Sequence, residues 1–313
     1  MMDTGNTGHL IRSEVWSSQL KEVLEDELMG QGYVNWMSEF PDGTTFTIPS
    51  IGQAQTDDYT ENASVQYRAL DTGQFQFTIG KYKSSGNYIT NKAKQDAYYM
   101  NQLVSSFVPK QARAIMETLE TDIMALSAKQ TASTANSVNG ASHRFVGTGT
   151  NEVIAVADFA KARYALKKAN VPDRNLIAIV DPSVEYAMNT LTNITNVSNN
   201  PRWEGIITSG IASGMSFLAN IYGFDVYTSN YLADANEQID SAGPTTAAGK
   251  ANMFFSADPS VLPFIGAWRQ MPQVDSEYNK DYQREEYVTT ARYGVDLYRP
   301  ENLVCVLTDT DQV

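Results

Sequence analysis

A single helical pattern of unusual length constrains this chain more than any other feature. Between residues 93 and 129, apolar side chains recur in steps of three to five, from Ala97 to Leu126. That spacing places them on one face of an α-helix. Such a helix would extend on the order of 55 Å at 1.5 Å per residue. Pro109 lies inside it and removes a backbone donor, so we expect a kink near Ser105.

Ahead of this helix, two alternating segments surround the sequence Asp71-Thr72-Gly73. A three-residue loop that ends in Gly is typical of a β-hairpin with a bulge. If Leu70 pairs with Gln74, six side chains share one face of the hairpin: Val65, Tyr67, Ala69, Phe75, Phe77 and Ile79. Polar side chains, among them Gln76, lie on the other face. Because a two-stranded ribbon cannot cover its own apolar face, we expect another part of the structure to cover it.

The first 30 residues predict an isolated amphipathic helix that begins at Ser13. Trp16, Leu20 and Leu24 recur at helical spacing, acidic residues occupy the other side, and Gly30 stops the helix. A single helix of this kind is marginal alone in water, so it must pack against its own domain or a neighbour.

The rest of the chain alternates helix and strand and then returns to strands. The polar stretches 127–151 and 233–250 read as loops, and Asp158 is expected to open a helix. Residues 176–180 predict a short buried strand, and Asp181-Pro182 supplies an N-cap and a first-turn proline for the next helix. Residues 223–229 predict a further strand, as do 253–255 and 303–307.

The stretch 282–298 alternates throughout and predicts a long strand. One face of that strand carries Tyr287, Thr289, Ala291, Tyr293, Val295 and Leu297. The fold class is therefore α+β.

The titratable residues do not form a recognisable catalytic or metal-binding pattern. The two histidines, His9 and His143, lie in polar segments, away from any nucleophile or second ligand. Cys305 lies inside an apolar strand and reads as a core residue. Asp234, Asn236, Gln238 and Asp240 resemble a calcium loop, but Ile239 stands where such a loop needs Gly. We therefore expect no catalytic residues, no cofactor and no metal, and hence no enzyme.

The charge balance argues against a nucleic-acid-binding or membrane protein. The chain has 36 acidic and 23 basic residues, a formal net charge of −13, whereas holding DNA by counterion release needs a high density of Lys and Arg. No apolar run approaches the roughly 20 residues that span a bilayer, and the N-terminus lacks the features of a signal peptide. These features favour an intracellular product that does not contact a membrane.

The order of these parts resembles the Hong Kong 97-type capsid fold of tailed double-stranded DNA bacteriophages. Three short stretches are family-like in detail: Ile48-Pro49-Ser50-Ile51-Gly52, residues 223–229 and residues 293–301. The resemblance implies an N-terminal arm at 1–46, an extended E loop at 47–90 and a P domain at 91–151 with its spine helix at about 93–129. It further implies an A domain at 152–250 and C-terminal P-domain strands at 251–313.

The resemblance also implies a function and partners. The chain would be a major capsid protein that self-assembles in the host cytoplasm into hexamers and pentamers of an icosahedral virion shell. The shell would enclose double-stranded DNA without sequence-specific binding. A separate scaffolding protein, a portal protein and possible decoration proteins would be its partners. The apolar hairpin face and Trp16, Leu20 and Leu24 would contact adjacent subunits, and Phe77→Asp would leave a folded subunit that cannot form shells.

Some relatives in this family join an E-loop lysine to an asparagine of the next subunit. Lys81, Lys83 and Asn302 are of the right residue types, but no local motif identifies a pair, so we assign no crosslink.

Three alternatives remain open on the sequence. An encapsulin-like nanocompartment shares the fold but encloses cargo protein. A soluble enzyme with an unfamiliar site would need a catalytic pattern that the titratable residues of this chain do not form. A tail tube protein would be mostly β and would lack the long kinked helix.

Overall fold

The long predicted helix is present over most of its length. The computed structural model describes residues 28–38, 43, 45–52, 56–58, 60–62, 64, 72–96, 100–129, 136–190, 217–235, 239 and 249–309. Its helices are α1 (Asn91–Asp96), α2 (Met100–Met124), α3 (Val156–Lys168) and α4 (Pro182–Thr190). A 3-10 turn, Ala125–Lys129, extends α2 to the predicted end, and Pro109 lies within α2.

The strands are numbered in chain order. They are β1 (Val34–Met37), β2 (Thr45–Ile51), β3 (Thr72–Thr78), β4 (Lys81–Thr90), β5 (Ser137–Val138), β6 (Ala141–Ser142), β7 (Arg144–Val146), β8 (Leu176–Val180), β9 (Phe217–Ile221), β10 (Phe224–Thr228), β11 (Asp234–Ala235), β12 (Gly249–Ser256), β13 (Phe264–Asn279), β14 (Arg284–Leu297) and β15 (Leu303–Asp309).

The first of two main sheets has four strands in the order β1-β13-β14-β4. The predicted face of β14 is confirmed, because Thr289, Ala291, Tyr293, Val295 and Leu297 are all buried. Helix α2 lies on that face: Gln111 donates from Nε2 to the carbonyl of Tyr287 and accepts from the hydroxyl of Thr289 at 3.0 Å. The sequence did not predict β13, the 16-residue strand that pairs with β14.

The second sheet has seven strands, in the order β7-β15-β12-β8-β10-β9, with β11 paired to β12. Alternate residues of its central strands point to two separate cores. Ala178 and Phe254 pack with Phe159 of α3, whereas Ile179 and Phe255 pack with Leu119 of α2. Helix α3 therefore covers one face of this sheet, and the other face packs against α2 and the four-stranded sheet. The boundary predicted between residues 250 and 251 falls inside β12, so it does not separate two units of this sheet.

Two aspartates fix helix starts in the second half of the chain. Asp181 is the predicted N-cap of α4: its Oδ2 accepts from the amide of Ser183 at 3.0 Å. Asp158 does not open α3, which begins two residues earlier at Val156. Its carboxylate instead reaches back to the amide of Ala155 at 2.8 Å, satisfying a donor at the start of the helix.

The predicted hairpin register is wrong in part. Thr72 and Gly73, placed in a turn by the sequence pattern, lie in β3 opposite Ile51 and Ser50 of β2. The alternation itself is confirmed from residue 74 to residue 79. Phe77 and Ile79 are buried and Phe75 is half-buried, whereas Gln74, Gln76 and Thr78 are exposed. The other hairpin residues, Val65, Tyr67 and Ala69, and the arm residues Trp16, Leu20 and Leu24 lie outside the described residues.

Candidate interaction surfaces

The β2–β3 pair forms a ribbon that carries no charged side chain in either of its seven-residue strands. In its register Phe46 faces Phe77 and Ile48 faces Phe75, so these four apolar side chains share one face. The other face carries threonine and glutamine side chains together with Pro49. Charged side chains are a common protection against unwanted strand pairing, and an exposed ribbon without them is typical of a protein contact surface.

The root of this ribbon is fixed to the body of the same chain. Phe77 and Ile79 are 0% and 2% exposed and pack on Ile265 and Ala267 of β13. Part of the face that the sequence analysis assigned to contact with an adjacent subunit is therefore covered by the same chain. Phe75 is half-buried and meets Tyr298 edge to face, with ring centroids 5.2 Å apart. The ribbon thus leaves the body in a direction set by its own apolar face.

Past the ribbon root, the four-stranded sheet continues as an extension built from β4, β13 and β14. Since α2 covers the face that holds Thr289, the opposite face holds the alternate residues of each strand. On that face Tyr82 pairs with Arg292, Tyr88 with Glu286, and Gly86 with Val288. We call the patch formed by Tyr82, Tyr88, Tyr282, Arg284 and Val288 the outer face. Its tyrosines are 60–68% exposed.

Arg284 organises the tip of the outer face. Its guanidinium lies 4.5 Å from the ring centroid of Tyr88 and 4.7 Å from that of Tyr282, within cation–π distance of both. Its Nε also donates to Glu286 Oε1 at 2.6 Å, and this hydrogen bond lowers the pKa of the Glu286 carboxyl. The arginine is therefore preorganised and its charge is locally balanced. Exposed tyrosine and arginine are the residues most enriched at protein–protein contacts.

The edges of this extension are protected against strand pairing. Among the described strands β4 pairs only with β14, and β1 pairs only with the first four residues of β13. The free edge of β13 contains Pro272, which has no backbone donor, and β4 begins with Lys81 and Lys83. Both edges of the extension therefore carry residues that disfavour pairing with another strand.

No candidate metal site appears in the part of the chain that the structure describes. No group of three His, Cys, Asp or Glu side chains there could hold a metal ion. His143, which lies in a polar segment of the sequence, is fully buried in the structure. Burial lowers its pKa, although the backbone carbonyls of Ala141 and Glu301 oppose this. Cys305 is buried in β15, as predicted. None of the described helices is both long and apolar enough to cross a bilayer.

Two of the three residues considered for a crosslink, Lys81 and Asn302, have partners within the chain. Lys81 forms an ion pair with Asp122 at 2.7 Å. Asn302 is buried, and its Nδ2 donates to the carbonyl of Val261 at 2.6 Å.

Residues 74–306 match the sequence model of a family described as phage capsid protein. This match covers about three quarters of the chain. It includes α2 and the strands of both main sheets except β1 and the last residues of β15. No curated protein matches the sequence.

Solved capsid structures share the fold across almost the whole chain. A structure described as the capsid of the cyanophage P-SCSP1u has 14% identity and a TM-score of 0.74, with 97% of this chain and 94% of that chain covered. A structure described as Mycobacterium phage Che8 has 15% identity and a TM-score of 0.70, with coverage of 94% and 96%. The cyanophage Pam1 capsid asymmetric unit has 14% identity and a TM-score of 0.66, with coverage of 97% and 98%.

Sequence reasoning missed the outer face. Its signal was present, since Tyr82, Tyr88 and Val288 stand at alternate positions of two extended segments. The pairing of β4 with β14 was not recognised, nor was the neighbouring strand β13, so the segment with Tyr82 and Tyr88 was assigned only to the E loop.

Proposed function

This chain belongs to the phage capsid protein family, and from that premise we propose that it assembles into the hexamers and pentamers of an icosahedral shell around a double-stranded DNA genome. It is a structural protein, the major capsid protein of a tailed-phage-type virion. The observation that carries the proposed mode of assembly is the uncharged β2–β3 ribbon. Its root is buried in its own subunit, while most of its length remains exposed.

The ribbon would contact the neighbouring subunit. A two-stranded ribbon is marginal in water, so a second surface is needed to stabilise its outer half. Phe75 at its middle, together with Val65, Tyr67 and Ala69, remains a candidate for that contact, as do Trp16, Leu20 and Leu24 of the N-terminal segment. Phe77 and Ile79 act within the subunit. The outer face takes their place as a proposed contact surface.

The segment assignments follow the same proposal. Residues 47–90 act as the E loop, with β2 and β3 as its base, and residues 91–151 with the β13–β14 pair act as the P domain. Residues 152–250 act as the A domain, to which β12 and β15 contribute strands of the same sheet.

The partners are proposed on the same footing. Assembly would take place in the host cytoplasm with a separate scaffolding protein, a portal protein would occupy one vertex, and a decoration protein could bind outside. The packaged DNA would be confined and not bound, because the net charge of −13 leaves little to gain from counterion release. The protein would have no enzymatic turnover. An encapsulin-like shell around cargo protein shares the fold, but the matched family is described as phage capsid protein.

Electron microscopy and sedimentation of the purified full-length protein test the proposal. We expect closed particles with hexameric and pentameric units. A stable monomer, even in the presence of its scaffolding partner and packaging proteins, would refute the assembly function.

Filter binding of purified hexamers to random duplex DNA tests whether the protein binds the DNA that it encloses. Submicromolar affinity at physiological salt would contradict the proposal that the DNA is confined without being bound.

A further inference from the structure

The carboxylate of Glu120 holds the turn at which the chain enters the described body. Glu120 is 1% exposed in α2, and its two oxygens accept from the amide of Gly30 at 2.8 Å each. Oε1 also accepts from the amide of Met29 at 3.2 Å. A Cβ atom at position 30 would lie 2.9 Å from Oε2, so any other residue there would have to displace this carboxyl group. Moving this turn away would remove three hydrogen bonds from a buried charge, which is costly.

Packing fixes the same turn from the other side. Gly30–Tyr33 is a 3-10 turn, and Met29 and Tyr33 contact the core between the two main sheets. The Tyr33 ring meets Phe255 of β12 edge to face, with ring centroids 5.4 Å apart. The entry turn is therefore tied to α2 and to both sheets.

Asp122, two residues further along α2, holds the root of the ribbon. Its Oδ1 lies 2.7 Å from Nζ of Lys81, the first residue of β4, and its Oδ2 accepts from the hydroxyl of Tyr293 at 2.7 Å. Two residues correspond to about 200° around a helix axis, so Glu120 and Asp122 point to opposite sides of α2. Leu119 and Ile123, which flank them, are buried in the core below.

We infer that the Glu120–Asp122 turn of α2 is a shared anchor that positions both segments leaving the body. Glu120 sets where the chain before Met29 departs, and Asp122 sets where the β2–β3 ribbon returns to the sheet. The inference rests on the proposed function, since it concerns segments that are proposed to contact neighbouring subunits. Because one rigid helical turn holds both, their departure points keep a fixed relation in every subunit.

Hydrogen exchange on full-length subunits tests the anchor without requiring shells. In Glu120→Gln, an NH₂ group replaces one of the two oxygens that accept from the amide of Gly30, so a donor faces a donor. Amide hydrogen exchange at residues 29–33 should therefore accelerate about tenfold or more. Residues 79–82 should not change. Asp122→Asn should give the reverse pattern. Glu117→Gln is the matched control, because Glu117 lies on the same helix in a half-buried ion pair with Arg113. In this variant neither segment should change. The inference would be overturned if exchange at these residues did not change in Glu120→Gln and Asp122→Asn. It would also be overturned if either variant accelerated exchange equally at both segments and in β12.

Shell shape separates a positioning role from a merely structural one. Variants with normal circular dichroism should form aberrant or open particles, because the segments leave the body in altered directions. Fewer shells of normal shape would indicate simple destabilisation and would overturn the positioning role. A wild-type protein that forms no shell at all would instead refute the proposed function, whatever the exchange data show.

Discussion

Phe77 lies directly against Gly294: a Cβ atom on Gly294 would stand 3.1 Å from Cζ of the Phe77 ring. The same atom would lie 2.8 Å from the carbonyl oxygen of Thr78. The end of β3 therefore crosses β14 at a position without a side chain. This close crossing directs the ribbon away from its own sheet.

Gly294→Ala should destabilise the subunit by about 1–3 kcal/mol, because the added methyl group must displace backbone as well as a ring. Chemical denaturation of the subunit measures the loss. Gly86→Ala is the matched control on the same sheet face, where the nearest atom, a Val288 methyl carbon, would be 3.6 Å away. An equal effect at both positions would show that strand glycines, and not the crossing, determine the stability.

Phe77→Ala should lower the free energy of unfolding by about 3–5 kcal/mol, since it empties a fully buried position. Gln76→Ala, one residue away and exposed, should change it by about 0.5 kcal/mol or less. Phe77→Asp should therefore prevent stable folding, contrary to the sequence-based expectation of a folded but assembly-defective subunit. Native-like circular dichroism and unfolding of the Phe77→Asp subunit would show that the ring is not a core residue.

Tyr88→Asp should leave folding intact and reduce shell formation. Tyr88 is 60% exposed, so the fold loses little beyond a cation–π contact of about 0.5–1 kcal/mol with Arg284. A carboxylate on the outer face would be desolvated in any contact made there. Tyr88→Phe keeps the ring and should assemble normally. Electron microscopy counts the shells that each variant forms. Normal shell numbers from Tyr88→Asp would show that the outer face is not a contact surface between subunits.

Acidification should destabilise the subunit through His143. Burial lowers the pKa of His143 below its ordinary value of 6.5. Above that pH the side chain is neutral in both states and contributes no pH dependence. Below it the unfolded chain takes up a proton that the folded chain does not, so the free energy of unfolding falls as pH falls. The slope reaches at most about 1.4 kcal/mol per pH unit.

Denaturation of wild type and His143→Gln between about pH 6.5 and 5 isolates this contribution, because the ordinary carboxyl pKa values lie lower. The variant should lack this part of the slope. Identical slopes would mean that His143 is protonated equally in both states.

Local patterns predicted the elements of this fold better than their partners. The periodicity of α2, the buried alternation of β14 and the Asp181 cap of α4 depend on neighbouring residues in the chain, and all three are present in the structure. The pairing of β3 with β2 and the length of β13 depend on residues far apart in sequence. The turn residue Gly73 fits a hairpin bulge locally, but tertiary pairing with Ser50 prevails.

The candidate surfaces were harder to predict for the same reason. The sequence identified the apolar face of the second ribbon strand, with Phe75 and Phe77, but not its partner strand β2. It also could not show that Ile265 and Ala267 of the same chain cover the root of the ribbon. The outer face depends on three strands coming together around Arg284. The partners of Glu120 are two backbone amides about 90 residues away, and backbone donors leave no trace in residue type.

The position of β15 in the seven-stranded sheet has a consequence for biosynthesis. This strand, residues 303–309, lies between β7 and β12 and is parallel to the former and antiparallel to the latter. A nascent chain that stops before residue 303 lacks the strand that joins these two, so the sheet cannot close until residues 303–309 have been synthesised. Such non-local pairing folds slowly, as sheets with high contact order do. Truncated chains would therefore remain incompletely folded and accessible to proteolysis, and only subunits translated through this strand would enter a growing shell.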